Sequence, residues 1–208
     1  MSNIAIQGAA TGTGVFTLAS PATNTDRTLV LPDEAGTVLT NSSDIPAANL
    51  TGSLPAGMGG KVLQVVSYQT GAVATGTTTM PLDDTIPQVT EGTQFLSLAI
   101  TPILATSKLV ITVSLQLDKN NSNTYMAALF KSSSASAIAG QFNGAFGAGS
   151  SLPMSFTHTM TSGTTSTTTF TVRAGSDGAG TLTLNGRGGG RIFGGVSVSS
   201  IVIMEIAE

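Results

Sequence analysis

Three groups of side chains have the types and spacing from which any chemistry would have to come. His158 is the single histidine of the chain. In Leu152–Met160, LPMSFTHTM, it falls on the strand face shared by Leu152, Met154, Phe156 and Met160. That setting reads as a core or interface histidine. The functional alternative is one histidine from each of three chains around an axis, holding an ion or responding to pH. A Ser-His nucleophile would have to use this residue, and no G-x-S-x-G elbow accompanies it. Asp83 and Asp84, between Pro81 and Pro87, are the nearest approach to a carboxylate pair. Sequence neighbours in an extended segment point opposite ways, which does not suit an acid/base pair. A calcium contact would want the spaced acidic loop that is missing here, so a solvated turn fits better. Asn185–Gly195, NGRGGGRIFGG, looks like a phosphate cradle, but it matches neither nucleotide-binding glycine motif and apolar strand residues follow it. It reads as a tight connection whose glycines take positive φ, with Arg187 and Arg191 placed to meet an anionic sugar or a carboxylate of a neighbouring chain. No metal site and no cofactor are expected, and the chain does not read as an enzyme.

The elements that must position these groups are strands. In Ser107–Leu117, SKLVITVSLQL, Leu109, Ile111, Val113, Leu115 and Leu117 share one face, and Lys108, Thr112, Ser114 and Gln116 share the other. Lys61–Tyr68, Met80–Pro87, Thr93–Thr101, Asn123–Lys131, Leu152–Met160, Thr165–Arg173, Thr181–Asn185 and Val196–Ile206 read as further strands. Asp118–Asn123 reads as a turn, and Ser132–Ser151 as a Gly/Ala/Ser-rich connection. The alternation, with one polar face, predicts an all-β antiparallel sandwich of jelly-roll type. The last strand is apolar on both faces, which predicts a central position or one against a neighbouring subunit.

Residues 1–40 read as short strands and turns too few to bury a core, so they should need a partner. Residues 41–60 carry Ile45-Pro46-Ala47 and Leu54-Pro55-Ala56, which makes a long helix unfavourable. They read as a flexible linker or as a short stalk in which Ile45, Leu50 and Leu54 of three chains meet. Residues 61–208 form the main domain.

Only 9% of the 208 residues are charged and 5% aromatic, against 40% hydrophobic. With mean hydropathy of +0.29, that balance argues against disorder. It also leaves one copy few charges with which to cover its surface, which predicts burial against other copies. A net charge of −3 gives no electrostatic footprint for nucleic acid or an anionic membrane. No apolar run reaches the roughly 18 residues of a membrane helix, and the first residues lack the basic and apolar regions of a signal peptide. The chain has no cysteine, hence no disulfide and no thiolate metal site.

The ordered segments SKLVITVSLQL, YMAALF, TSTTTFTVRAG, GTLTLNG and RIFGGVSVSSIVIMEI resemble the C-terminal knob of fibre and decoration proteins of tailed bacteriophages. SPATNTDRTLVLPDEAGTVLT is similar to a segment that recurs in phage tail-fibre and virion proteins. The resemblance implies a jelly roll similar to the tumour necrosis factor fold, a homotrimer, and a virion location on tail or capsid. It also implies an N-terminal anchor, here Ile4, Val15, Phe16, Leu29 and Leu31, that grips other virion proteins. The exposed head would then touch a host-surface glycan or receptor, with Tyr68, Asn120, Asn121, Asn123, Arg187 and Arg191 as the ligand-contact residues. Because the stalk is short, a capsid decoration or cement protein is the alternative. A secreted trimeric ligand or lectin is a further one, disfavoured by the missing signal peptide. A polysaccharide hydrolase is disfavoured by the lack of a carboxylate pair and of any tryptophan.

Overall fold

The computed structural model describes Thr11, residues 61–144 and residues 151–208, with Leu152 known by its backbone alone. The expectations for residues 1–60, including the anchor residues Ile4, Val15, Phe16, Leu29 and Leu31, lie outside the described residues.

Among the described residues, twelve strands follow in order. They begin with β1 Val62–Thr70, β2 Ala74–Gly76, β3 Thr93–Ile100, β4 Lys108–Lys119, β5 Tyr125–Lys131 and β6 Ala139–Asn143. Then come β7 Ser151–Thr161, β8 Thr168–Ser176, β9 Leu182–Leu184, β10 Gly186–Arg187, β11 Gly190–Arg191 and β12 Ser199–Ile206. All pairings among them are antiparallel. The first sheet runs β1-β12-β4-β9-β2, with β7 on the other edge of β4; the second runs β3-β8-β5-β6. The fold is an all-β antiparallel sandwich, as the alternation predicts.

β4 is the spine. Leu109, Ile111, Val113, Leu115 and Leu117 are all buried, and they meet Leu96, Ile100, Leu129, Phe170 and Val172 of the second sheet. Burying that apolar stripe is the main driving force for closing the two sheets. β12 lies between β1 and β4, central as its two apolar faces predict. Ile201 and Ile203 point into the core, while Val202, Met204 and Ile206 are half-exposed on the outer face.

Several local expectations are corrected. Met80–Pro87 is not a strand. Pro81 and Pro87 cannot donate to a ladder, and the segment instead lies over the second sheet. Met80 packs there against Met126, Ala128 and Phe130, so β5 is buried on both faces. The turn assigned to Asp118–Asn123 starts later, because Asp118 and Lys119 continue β4 and are buried. The connection Ser132–Ser151 contains β6, the loop after β1 contains β2, and the glycine-rich connection contains the β10–β11 hairpin.

Candidate functional site

The glycine-rich connection is a hairpin whose two-residue turn is Gly188-Gly189, with φ of 56° and 81°. A tight turn with positive φ at both central positions is the hairpin type that matches strand twist, and glycine takes it without a Cβ penalty. Its base is held from below. Asp118, only 2% exposed, accepts from Gly188 N at 2.9 Å and from Ser151 Oγ at 2.8 Å. Thr183 Oγ1 accepts from Gly189 N at 3.0 Å. Buried Asn185 donates to the carbonyls of Thr70 and Ala72, at 2.8 and 3.1 Å, and accepts from Ser199 Oγ at 2.7 Å. Arg187 and Arg191 are exposed and form no ion pair with any described residue. The register pairs Arg187 with Gly190 and Gly186 with Arg191, which puts the two guanidinium stems on opposite faces of the ribbon. They do not converge on one anion.

Asn120, Asn121 and Asn123 form the neighbouring turn between β4 and β5. Their amides are engaged: Asn120 Oδ1 accepts from Thr181 N at 2.8 Å, and the Nδ2 groups of Asn121 and Asn123 donate to Ala179 O at 2.7 and 3.3 Å. Lys119 beneath them is fully buried, donates to Asn123 O and lies 5.5 Å from the centre of the Tyr125 ring. Burial pushes its ammonium pKa down, opposed by the charge of Asp177. Asn120, Thr181, Thr183, Gly188 and Gly189 line a cavity of about 160 Å³, so the structure joins the asparagine turn to the hairpin. Tyr68 is not part of it. It is 43% exposed on β1, the outer strand of the first sheet.

His158 sits on β7 opposite Ile111, half-buried on the inner face beside Phe156 and Met160, and none of the described residues hydrogen-bonds to it. Asp83 and Asp84 are exposed, in a turn as expected. Asp83 Oδ1 accepts from Thr85 Oγ1 at 2.6 Å and Thr85 N at 2.8 Å, and these two bonds lower its pKa. Together with Ile86, Pro87 and Ala137–Gly140, both aspartates line a groove of about 450 Å³. An adjoining hollow of about 200 Å³ is bounded by Leu82, Gln141 and Phe142.

Glu205 is the ionisable residue that the sequence reading passes over. It is fully buried and has no cationic partner among the described residues. Oε1 accepts from Ser107 Oγ at 2.6 Å, Ile103 N at 2.9 Å and Leu104 N at 3.1 Å, and Oε2 accepts from Gln64 Nε2 at 2.6 Å. The Leu104 carbonyl accepts from Ser162 Oγ and lies within hydrogen-bond distance of Ser107 Oγ, both at 2.7 Å, so Ser107 bridges the 101–107 loop and the carboxylate. Burial alone would raise the Glu205 pKa. The donors from Ser107, Gln64, Ile103 and Leu104 outweigh it and hold the pKa below the ordinary range. The signal is present in the sequence: in a period-two reading Glu205 shares the face of Ile201 and Ile203. Its surroundings anchor the 101–107 loop to β12 and leave no lone pair for a reactant.

No family model matches the chain, and neither does any curated protein. Among solved structures it is similar to one of infectious bursal disease virus Gx strain, at 15% identity over 70% of this chain and 37% of that one, TM-score 0.34. It is also similar to the VP2 subviral particle of infectious bursal disease virus, at 13% identity over 70% of this chain and 38% of that one, TM-score 0.32. The chain spans under two fifths of the length of either protein.

Proposed function

We propose that the chain is a non-enzymatic structural protein of a phage virion, a homotrimeric fibre of tail or head whose sandwich domain faces the host surface. The observation that carries this reading is the outer face of the first sheet. Cross-strand register lines up Val65, Met204, Val110 and Thr159 in one row, and Ser67, Val202, Thr112 and Thr157 in the next. A third row holds Gln69, Ser200, Ser114 and Ser155. These rows cross four strands without one ionisable side chain, and the charged pair Lys108–Glu208 stands at their margin. A lone soluble sheet normally breaks such a face with charge. Three copies that meet through it would hide it. The sequence resemblance of residues 61–208 to phage knobs supports the same reading. Three weak head sites acting together raise avidity without a new contact.

Light scattering on purified protein tests the oligomer: the expected mass is three times 20.8 kDa, and Met204→Lys should release single copies. A compact monomer at high concentration overturns the proposal. Soluble trimer should also compete with phage adsorption, and no effect at saturation removes the host-attachment role. The short stretch 41–60 favours a second reading, a capsid decoration protein held by residues 1–40. Deleting residues 1–45 should then abolish incorporation into particles while leaving a folded head.

A further inference from the structure

Two exposed features of the described surface complement one another. Its four most exposed large apolar side chains are Val196 at 78%, Phe193 at 77%, Phe142 at 62% and Ile86 at 60%. The first two follow the β10–β11 hairpin, and the other two border the aspartate groove and its adjoining hollow. Each apolar pair comes with a charge of opposite sign that no described residue neutralises: Arg191 on the hairpin and Asp84 in the groove. Ile192 between Arg191 and Phe193 is extended, at φ −120° and ψ 161°, so the charge and the ring lie close together on the segment that leaves the hairpin, with only Ile192 between them.

Phe193 adds an independent point. Its φ is 47°, a left-handed conformation that a non-glycine aromatic residue rarely takes. The strain holds a large apolar ring in water, where it gains nothing for the single chain; such outliers gather at contact sites. The hairpin before it is rigid because buried Asp118, Thr183 and Asn185 hold its turn and base. The groove is rigid too. Ala137 of its wall packs against the buried Met80, Met126, Ala128 and Phe130 cluster, and Ala137 N donates to Pro87 O at 2.9 Å. Two preformed surfaces associate with little ordering cost.

We propose that the Arg191–Phe193 side of the hairpin on one copy docks in the Asp84–Ile86–Phe142 groove of the next copy. This contact deepens the homotrimer reading above and rests on it. In the threefold assembly proposed above the contact is heterologous: hairpin and groove share no residue, and repeated around the axis it closes a ring in which every hairpin and every groove is used once. The guanidinium of Arg191 pairs with the Asp84 carboxylate at the rim, and Phe193 covers Ile86 and Phe142 away from water.

The chain has no cysteine, which permits a direct test. Full-length Phe193→Cys and Ile86→Cys proteins, each with its own affinity tag, are co-expressed and oxidised. The expected result is a disulfide between the two differently tagged copies, and little between identical ones. In parallel, Asp84→Arg should weaken self-association by about tenfold, and Arg191→Asp in the same chain should restore it. Asp84 suits this test because no described residue hydrogen-bonds to its side chain. A trimer by light scattering with no mixed disulfide and no effect of Asp84→Arg overturns the contact while the trimer stands. A monomer at every concentration overturns both readings. Retention on a sulfated polysaccharide that Arg191→Asp abolishes, with association unchanged, assigns the hairpin to an anionic glycan and also overturns the contact.

Discussion

Glu205 and the Asp83–Asp84 pair are the two acidic regions of this domain that invite explanation, and they differ in almost every respect. Glu205 lies in the middle of an apolar strand, fully buried, with both oxygens saturated by four donor groups. Asp83 and Asp84 stand in the open. Among the described residues, the first side chain is bonded only within its own turn and the second not at all. A burial cost as large as that of a carboxylate is met only when the donors are already in place, so Glu205 marks a part of the fold that cannot move. The exposed pair carries no such obligation, and its charge is free for a partner. The difference teaches that the acid easiest to see in a sequence is not the acid on which the fold depends.

The contrast should break most visibly at Glu205. Glu205→Ala removes the acceptor of Ile103 N, Leu104 N and Ser107 Oγ together, and should destabilise the domain by about 3 kcal/mol in urea unfolding. Asp84→Ala should change the same measurement by less than about 0.5 kcal/mol, as surface substitutions usually do. Equal costs at the two positions would end the comparison.

A smaller effect follows from acid. The Glu205 pKa is held low in the folded state, so its contribution to stability is fully present above the unfolded glutamate pKa. It is lost as the pH falls through the lower folded value. Between those two values the wild type should lose stability more steeply than Glu205→Gln, in thermal unfolding scanned against pH. The smallest effect is local. Thr85→Val deletes the hydroxyl that most lowers the Asp83 pKa, so the Asp83 carboxyl should titrate closer to the ordinary aspartate range by NMR, with Glu205 unmoved.

How much of this is legible in the sequence depends on periodicity. β4 is plain in Ser107–Leu117 because five apolar residues alternate with polar ones, and the structure buries those five. β6 is hidden: Ala139-Gly140-Gln141-Phe142-Asn143 has no alternation, and as an outer strand it buries too little to need one. Met80–Pro87 misleads because Met80, Leu82 and Ile86 suggest a strand, while Pro81 and Pro87 forbid the ladder that would make one. Asp118 and Lys119 read as turn residues because charge is rare in cores. Each is retained there by a partner distant in sequence or by its own following turn. For the candidate site, the two arginines and two aspartates are legible as residues. That the arginines leave opposite faces of a ribbon is not, since it depends on a register that only the folded hairpin defines.

β5 has a consequence for how this domain can change over generations. Its side chains at Tyr125, Ala127 and Leu129 belong to the main core, and those at Met126, Ala128 and Phe130 support the aspartate groove from beneath. A strand with water on neither side acts as a shared wall. Adding a methyl group at Ala128 would lift the Met80–Pro87 cover and reshape the groove, though Ala128 itself lines no surface. Variants with a reshaped groove therefore need not carry any substitution among the residues that line it.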